Sequence, residues 1–178
     1  NQRPQAVVVM TVQRRIWRVG DNIDTDALAP GHAMKGGIDG IKPFCLEGVR
    51  PDFASGVQPG DVLVAGANFG IGSSREQAAA VLVAMGLYAV IAPSYNGLYF
   101  RNAFNVGLLL LTCTQVHGLQ DGQTLCINED ATPWTLQSQG QTPVTCEAVP
   151  DFLLRRVRMG GLLNELKHRM AGETTDER

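Results

Sequence analysis

No two cysteines stand at close spacing in this sequence. Cys45, Cys113, Cys126 and Cys146 are widely spaced and form no Cys-x-x-Cys pair, so a zinc or iron–sulfur site built by this chain alone is poorly supported. The spacing selects no disulfide either, and the expectation is buried thiols in a reducing cytoplasm. No apolar run approaches the roughly 20 residues that a membrane span requires. The first residues, Asn1-Gln2-Arg3-Pro4-Gln5, lack the basic-then-apolar order of a secretion signal. Charge is scarce too, at 18% of residues, and 15 basic against 17 acidic side chains leave a net charge of -2. That balance excludes the positive field of a nucleic-acid binder. So lightly charged a surface is compatible with part of it lying against another protein.

Glycine, at 20 positions, and hydrophobic residues, at 44%, are what the 178 residues do supply. The length predicts one domain burying roughly two-thirds of its surface, with flexible N-terminal residues and a flexible acidic tail from about residue 172. Strand-like composition runs from Val7 to Val19, broken by Arg14 and Arg15. Gly20-Asp21-Asn22 reads as a turn, and Ile23 to Gly40 as a long irregular stretch of the kind that is often functional. A short helix is expected within Phe44 to Phe53. From Asp61 the order becomes strand (Asp61–Ala65), glycine turn, helix (Ala78–Met85), strand (Leu87–Ala92), helix (Asn96–Phe104) and buried run (Leu108–Leu111). Apolar strands without alternation predict an α/β sheet covered on both faces. Three short strand-like pieces follow, Gln123–Asn128, Thr132–Gln137 and Thr142–Cys146, then helices over Pro150–Met159 and Leu162–Met170.

The segment Gly66-Ala67-Asn68-Phe69-Gly70-Ile71-Gly72-Ser73-Ser74-Arg75-Glu76-Gln77 carries the strongest chemical signal. Its glycines allow close backbone approach at a strand-to-helix switch, and the helix start offers free N–H groups to an anion. Two hydroxyls and an arginine fork at that point describe a pocket for a carboxylate or phosphate. The purely structural reading is a serine N-cap beside a surface ion pair of Arg75 with Glu76 or a neighbour. Asp24-Thr25-Asp26 is a second candidate, and its structural reading is an Asx turn or helix cap. Lys35, within Gly31-His32-Ala33-Met34-Lys35-Gly36-Gly37, has the reach to clamp a distal carboxylate. His32 follows a Pro-Gly turn and suits an exposed loop as well as catalysis; His117 and His168 read as structural or exposed. No Gly-x-Ser-x-Gly elbow is present, and Gly70-Ile71-Gly72 lacks the remaining marks of a nucleotide loop.

Taken together, Gly20-Asp21-Asn22-Ile23-Asp24-Thr25-Asp26, Asn68-Phe69-Gly70-Ile71-Gly72-Ser73-Ser74-Arg75-Glu76, Asn102-x-x-Asn105-x-Gly107-Leu108 and Gly160-Gly161-Leu162-Leu163 resemble the small subunits of 3-isopropylmalate dehydratases and their homoaconitase-type relatives. The likeness runs from about Val12 to Arg169. It implies a β/β/α swivelling domain of the aconitase superfamily, cytoplasmic, working in leucine biosynthesis with a separate large subunit that holds a [4Fe–4S] cluster through its own cysteines. The implied substrate is a small hydroxy-di- or tricarboxylate, with no nucleic acid and no membrane among the partners. The implied chemistry is elimination and re-addition of water.

By the same resemblance Ser73 is the base that takes a proton from carbon, Arg75 grips a substrate carboxylate with Ser74 beside it, and Asp26 supports a histidine of the large subunit. The physics suits these roles: a serine alkoxide needs N–H donors and positive charge nearby, and a guanidinium reads a carboxylate with two bonds. Relatives carry a substrate-discriminating tip where this chain has His32-Ala33-Met34-Lys35. Ala33 and Met34 suit an isopropyl group, whereas Lys35 suits a third carboxylate as in homoaconitase. A methyl- or dimethylmalate substrate fits the same residues, and so does a non-catalytic carboxylate-binding module.

Overall fold

The computed structural model describes residues 12–173, so the expected strand residues before Val12 and nearly all of the expected flexible ends lie outside the described part. The first strand, β1 (Arg14–Arg18), leads into three short helical pieces: α1 (Thr25–Leu28), a 3₁₀ turn over Gly31–Gly36, and α2 (Gly37–Ile41). The stretch from Ile23 to Gly40 is therefore largely helical rather than irregular. Elements of four to six residues show too little periodicity to be read from a sequence, and only tertiary packing stabilises them. The expected helix within Phe44–Phe53 is instead a 3₁₀ turn over Lys42–Phe44 and a run of turns, with Leu46 at φ 60°; a helix, α3 (Phe53–Gly56), begins only at its end.

The alternating half follows the sequence closely: β2 (Val62–Val64), α4 (Gln77–Ala84), β3 (Ala89–Ala92), α5 (Gly97–Asn105) and β4 (Leu109–Thr112). The strands β5 (Thr124–Asn128), β6 (Thr135–Ser138) and β7 (Val144–Thr145) come next, then α6 (Asp151–Arg158) and α7 (Leu162–Glu173). All seven strands share one sheet in the order β4-β3-β2-β1-β5-β6-β7. β1 to β4 pair in parallel, whereas β5 joins β1 antiparallel and the antiparallel arm continues through β6 and β7. Every residue of β2 and β3 is buried, as a sheet covered on both faces requires. β5 and β6 alternate, and face the core on one side only.

Trp17 on β1 anchors the centre. Its ring is fully buried edge-on to Phe53 at 5.4 Å, and its indole N–H donates to the buried Asp61 carboxylate at 2.9 Å. Asp61 also accepts from the Gln58 N–H at 2.9 Å, which fixes the entry to β2. The core extends from there through Phe69, Tyr99 and Phe104.

Gly70 shows how tightly the glycine turn seats on this core. Its φ is 83°, and a Cβ there would lie 2.2 Å from Cγ of the buried Tyr99. Gly122, at φ 76°, has open space where its Cβ would stand. Gly122→Ala should therefore cost only the backbone strain, about 1 kcal/mol, whereas Gly70→Ala adds a core clash and should cost about 2–4 kcal/mol. Urea midpoints at constant slope measure both; equal losses would show that Gly70 is not packed against Tyr99.

Candidate functional site

β1 and β2 end side by side, and the loops that leave their carboxyl ends build the site. This is where an open parallel sheet usually presents its ligands. The two loops stay bonded after the strands stop. Val19 donates to the Val64 carbonyl at 2.9 Å, Gly66 to Gly20 at 3.0 Å, Asn22 to Ala67 at 2.8 Å, Gly70 to Ile23 at 2.7 Å and Thr25 to Ile71 at 2.9 Å. Side chains add to the seam: Asp21 accepts from the Ala67 N–H at 2.8 Å, and the Asn68 amide donates to Asn22 at 3.1 Å. A Cβ on Gly66 would stand 1.8 Å from Asp21 Oδ1, so glycine is required there by close approach.

This seam brings Asp-Thr-Asp against Ser-Ser-Arg, and the three residues of the first motif divide their work. Asp24 is structural, capping α1 by accepting from the Ala27 N–H at 2.7 Å. Thr25 is buried, with its hydroxyl 3.3 Å from that of Ser73. Asp26 points outward and takes two bonds on one oxygen, from Arg75 Nη1 at 2.8 Å and from the Gly31 N–H at 3.0 Å. The Arg75 guanidinium, and after it the Gly31 amide, hold the Asp26 carboxyl below the usual carboxylate range.

Neither serine caps the following helix. The N-cap of α4 is Glu76, without a side-chain capping bond, and Arg75 pairs with Asp26 rather than Glu76. The serine cap is thus absent, and the surface ion pair expected of Arg75 is made, with Asp26 of the neighbouring loop in place of Glu76. Ser73 and Ser74 are exposed, and their backbone N–H groups find no hydrogen-bond acceptor among the described residues. Arg75 spends Nη1 on Asp26 and on the Ala29 carbonyl at 3.0 Å, leaving Nε and Nη2 without a protein partner among the described residues. Two exposed serines, two backbone amides without acceptors among the described residues and a guanidinium with two unengaged nitrogens therefore follow one another on this turn. Donors of this kind are chemically able to bind a carboxylate and to stabilise negative charge on the serine oxygen.

The remaining candidates lie on the 3₁₀ turn beyond α1. Lys35 is exposed and forms no ion pair among the described residues, Met34 is half-buried, and Ala33 is buried against the core. None makes a polar contact with Ser73 or Arg75. His32 pairs with Glu47 at 2.6 Å and packs edge-on to Phe44 on the surface. His117 and His168 are exposed. Cys45, Cys113 and Cys146 are buried and Cys126 half-buried, all as free thiols. Among the described residues no group of three or more His, Cys, Asp or Glu gathers to hold a metal ion, and no helix is long and apolar enough to cross a membrane. Thr25 is the residue that the sequence reading leaves without a role and the structure places against Ser73. Its position between two aspartates was the available signal.

Residues 51–116 match the family model described as the aconitase C-terminal domain. The 3-isopropylmalate dehydratase small subunit of Syntrophus aciditrophicus is 36% identical over 160 residues, covering 89% of this chain and 97% of that protein. The isopropylmalate/citramalate isomerase small subunit of Methanocaldococcus jannaschii is 35% identical over 162 residues, covering 90% and 96%. The crystal structure of a 3-isopropylmalate dehydratase from Methanocaldococcus jannaschii superposes with a TM-score of 0.85 at 33% identity, over 94% of this chain and 99% of that one.

The Asp26–Arg75 pair gives the site a measurable pH signature. A carboxyl depressed by its partner contributes stability above its unfolded pKa and loses it as pH falls through the folded value. With Asp26 largely exposed the stability change is small, so the midpoint itself is the observable. Followed by NMR, the Asp26 carboxyl should titrate below the usual carboxylate range and move up in Arg75→Gln. High salt should narrow the gap. An unchanged midpoint in Arg75→Gln would show that the pair does not form in solution.

Proposed function

The chain belongs to the family of 3-isopropylmalate dehydratase small subunits, with the swivelling-domain fold of the aconitase superfamily, and on that premise we propose that it completes a two-subunit hydro-lyase isomerising 2- and 3-isopropylmalate by dehydration and rehydration. The partner is a large subunit carrying a [4Fe–4S] cluster, and the pair works in the cytoplasm. The small subunit is inactive by itself. When bound in the partner, the cluster supplies a Lewis acid for the substrate's leaving hydroxyl.

The observation that carries this reading is the exposed Ser73 hydroxyl beside two unpaired backbone amides and a half-free Arg75 fork. Ser73, its own proton passed to solvent, takes the proton from the substrate carbon, and the adjacent amides and guanidinium stabilise the alkoxide that does so. Arg75 binds a substrate carboxylate through Nε and Nη2, held in that orientation by Asp26. The second oxygen of Asp26, which makes no hydrogen bond among the described residues, is free to orient a partner histidine. Ser74 adds a hydroxyl donor to the same carboxylate. The openness of this surface supports the need for a second subunit, since a strong base standing in water is quenched by it.

Substrate choice rests with the 3₁₀ turn. Met34 offers an alkyl substituent an apolar contact, Lys35 stands at the rim for a distal charge, and Ala33, from within the core, sets how closely the turn approaches. A second substrate, the smaller citramalate type, is favoured by the relative named for both activities.

Anaerobic reconstitution with the large subunit, read by absorbance of the unsaturated intermediate, tests the whole scheme. Ser73→Ala should lower kcat by at least about a hundredfold while leaving assembly and KM nearly unchanged. Arg75→Lys should raise KM and lower kcat together, because the charge survives but the fork does not. Near-normal turnover of Ser73→Ala in a cluster-loaded complex would remove Ser73 as the base. Activity of the small subunit alone would remove the division of labour.

A further inference from the structure

We propose that Thr25 is a positioning residue for Ser73, its buried hydroxyl holding the serine side chain in one rotamer and donating a hydrogen bond to the serine oxygen once that oxygen has lost its proton. The inference rests on the reading of Ser73 as the base and concerns what makes a serine competent for that task. Thr25 is 2% exposed, whereas Ser73 is open to solvent, and their hydroxyls stand 3.3 Å apart. No other hydrogen bond is made by the Thr25 hydroxyl among the described residues.

The backbone of Thr25 is fixed on both sides. Its N–H donates to the Ile71 carbonyl at 2.9 Å, and its own carbonyl accepts from Ala29 at 2.9 Å. A β-branched side chain on a fixed backbone has few rotamers, so the hydroxyl is aimed before substrate arrives. The neighbouring turn leaves room for it: a Cβ on Gly72, at φ 103°, would lie 3.2 Å from Thr25 Oγ1.

A hydroxyl is the right chemistry under a serine that changes charge. While Ser73 keeps its proton, either oxygen can donate to the other. After Ser73, which is exposed, has passed its proton to solvent, only Thr25 can donate, and the bond becomes a charge-assisted one of about twice the strength; the serine regains a proton when it takes one from the substrate carbon. The interaction therefore favours the deprotonated serine over the protonated one. It adds a donor to the amides and guanidinium that stabilise the same alkoxide.

The test uses the reconstituted two-subunit enzyme and compares Thr25→Val, which keeps the shape and removes the hydroxyl, with Thr25→Ser, which keeps the hydroxyl. Thr25→Val should lower kcat about tenfold to a hundredfold, the range expected for losing one hydrogen bond to a charged group, with KM changed less than about twofold. The rising limb of its pH–rate profile should move to higher pH, because the deprotonated serine has lost a stabilising donor. Thr25→Ser should restore both rate and profile. Melting temperature and large-subunit association of both variants should match the parent, a readout independent of turnover. In a Ser73→Ala background Thr25→Val should cost nothing further.

A loss in Thr25→Val without a profile shift, not rescued by serine, or repeated in full in the Ser73→Ala background, would overturn the proposal and leave Thr25 a packing residue. If Thr25→Val fails to assemble, Thr25→Ala removes the hydroxyl without crowding and carries the same predictions. Near-normal turnover of Ser73→Ala alone would instead overturn the base assignment, so the two failures are told apart.

Discussion

Parallel pairing between β1 and β2 does not end with the strands, and the site depends on that continuation. Two loops leave the sheet at the same edge, and their backbone bonds alternate from Val19–Val64 to Thr25–Ile71. The pairing is possible only because glycine stands wherever one loop presses on its surroundings: Gly66 against Asp21, and Gly70 against Tyr99. Left-handed backbone at Asn22 and Asn68 lets both chains bend together without breaking the seam. Removing one of these contacts would move Asp26 and Arg75 relative to each other, although neither residue takes part in the seam itself.

What the seam leaves is a set of donors without protein acceptors among the described residues, held on exposed backbone. The Ser73 and Ser74 amides lack acceptors among the described residues, and Arg75 is held by one nitrogen while the rest of its fork is unused. Unsatisfied donors at a surface cost little while water serves them. They become strong when water is excluded, because an interaction screened in bulk is far less screened at a closed interface. The chain thus holds its polar groups in place, and on the proposed function the exclusion of water falls to the partner subunit. By contrast, the roughly 440 Å³ cavity lined by Tyr88, Trp134 and Leu154 sits by the amino ends of the parallel strands, the edge opposite to this site.

The alternating half of the fold was legible because each strand is an unbroken apolar run and each helix is bounded by a glycine turn. β2, α4, β3, α5 and β4 fall where Asp61 to Leu111 predicts them. The stretch from Ile23 to Ile41 was not legible as helix, since its helical turns are shorter than a hydrophobic repeat and are stabilised by packing, with α2 lying against α4. The Phe44–Phe53 prediction failed for a different reason. Apolar residues there, Cys45, Leu46 and Phe53, are buried one by one from a chain of turns, and not along a helix face. At the site, Ser-Ser-Arg was readable as chemistry, but its partner was not. Arg75 lies 49 positions from Asp26, and no local pattern announces a pairing made by two loops folding together.

Asp26 ties together the groups that this site is built from. Its single bonded oxygen serves both Arg75 and Gly31, so the carboxylate orients the guanidinium from one edge and ties the 3₁₀ turn to α1. On the proposed function, with its second oxygen turned to a partner histidine, one carboxylate would link three parts of the site: the turn proposed to read the substrate's substituent, the arginine proposed to bind its carboxylate, and the second subunit. A residue with those three obligations has little freedom to vary, and asparagine would not replace it, because its amide lacks the charge that holds Arg75. Thr25, one residue earlier, is bound as tightly from below by Ile71 and Ala29. The Asp-Thr-Asp motif is then best understood as one rigid turn whose first residue caps a helix, whose second faces the serine, and whose third faces the arginine.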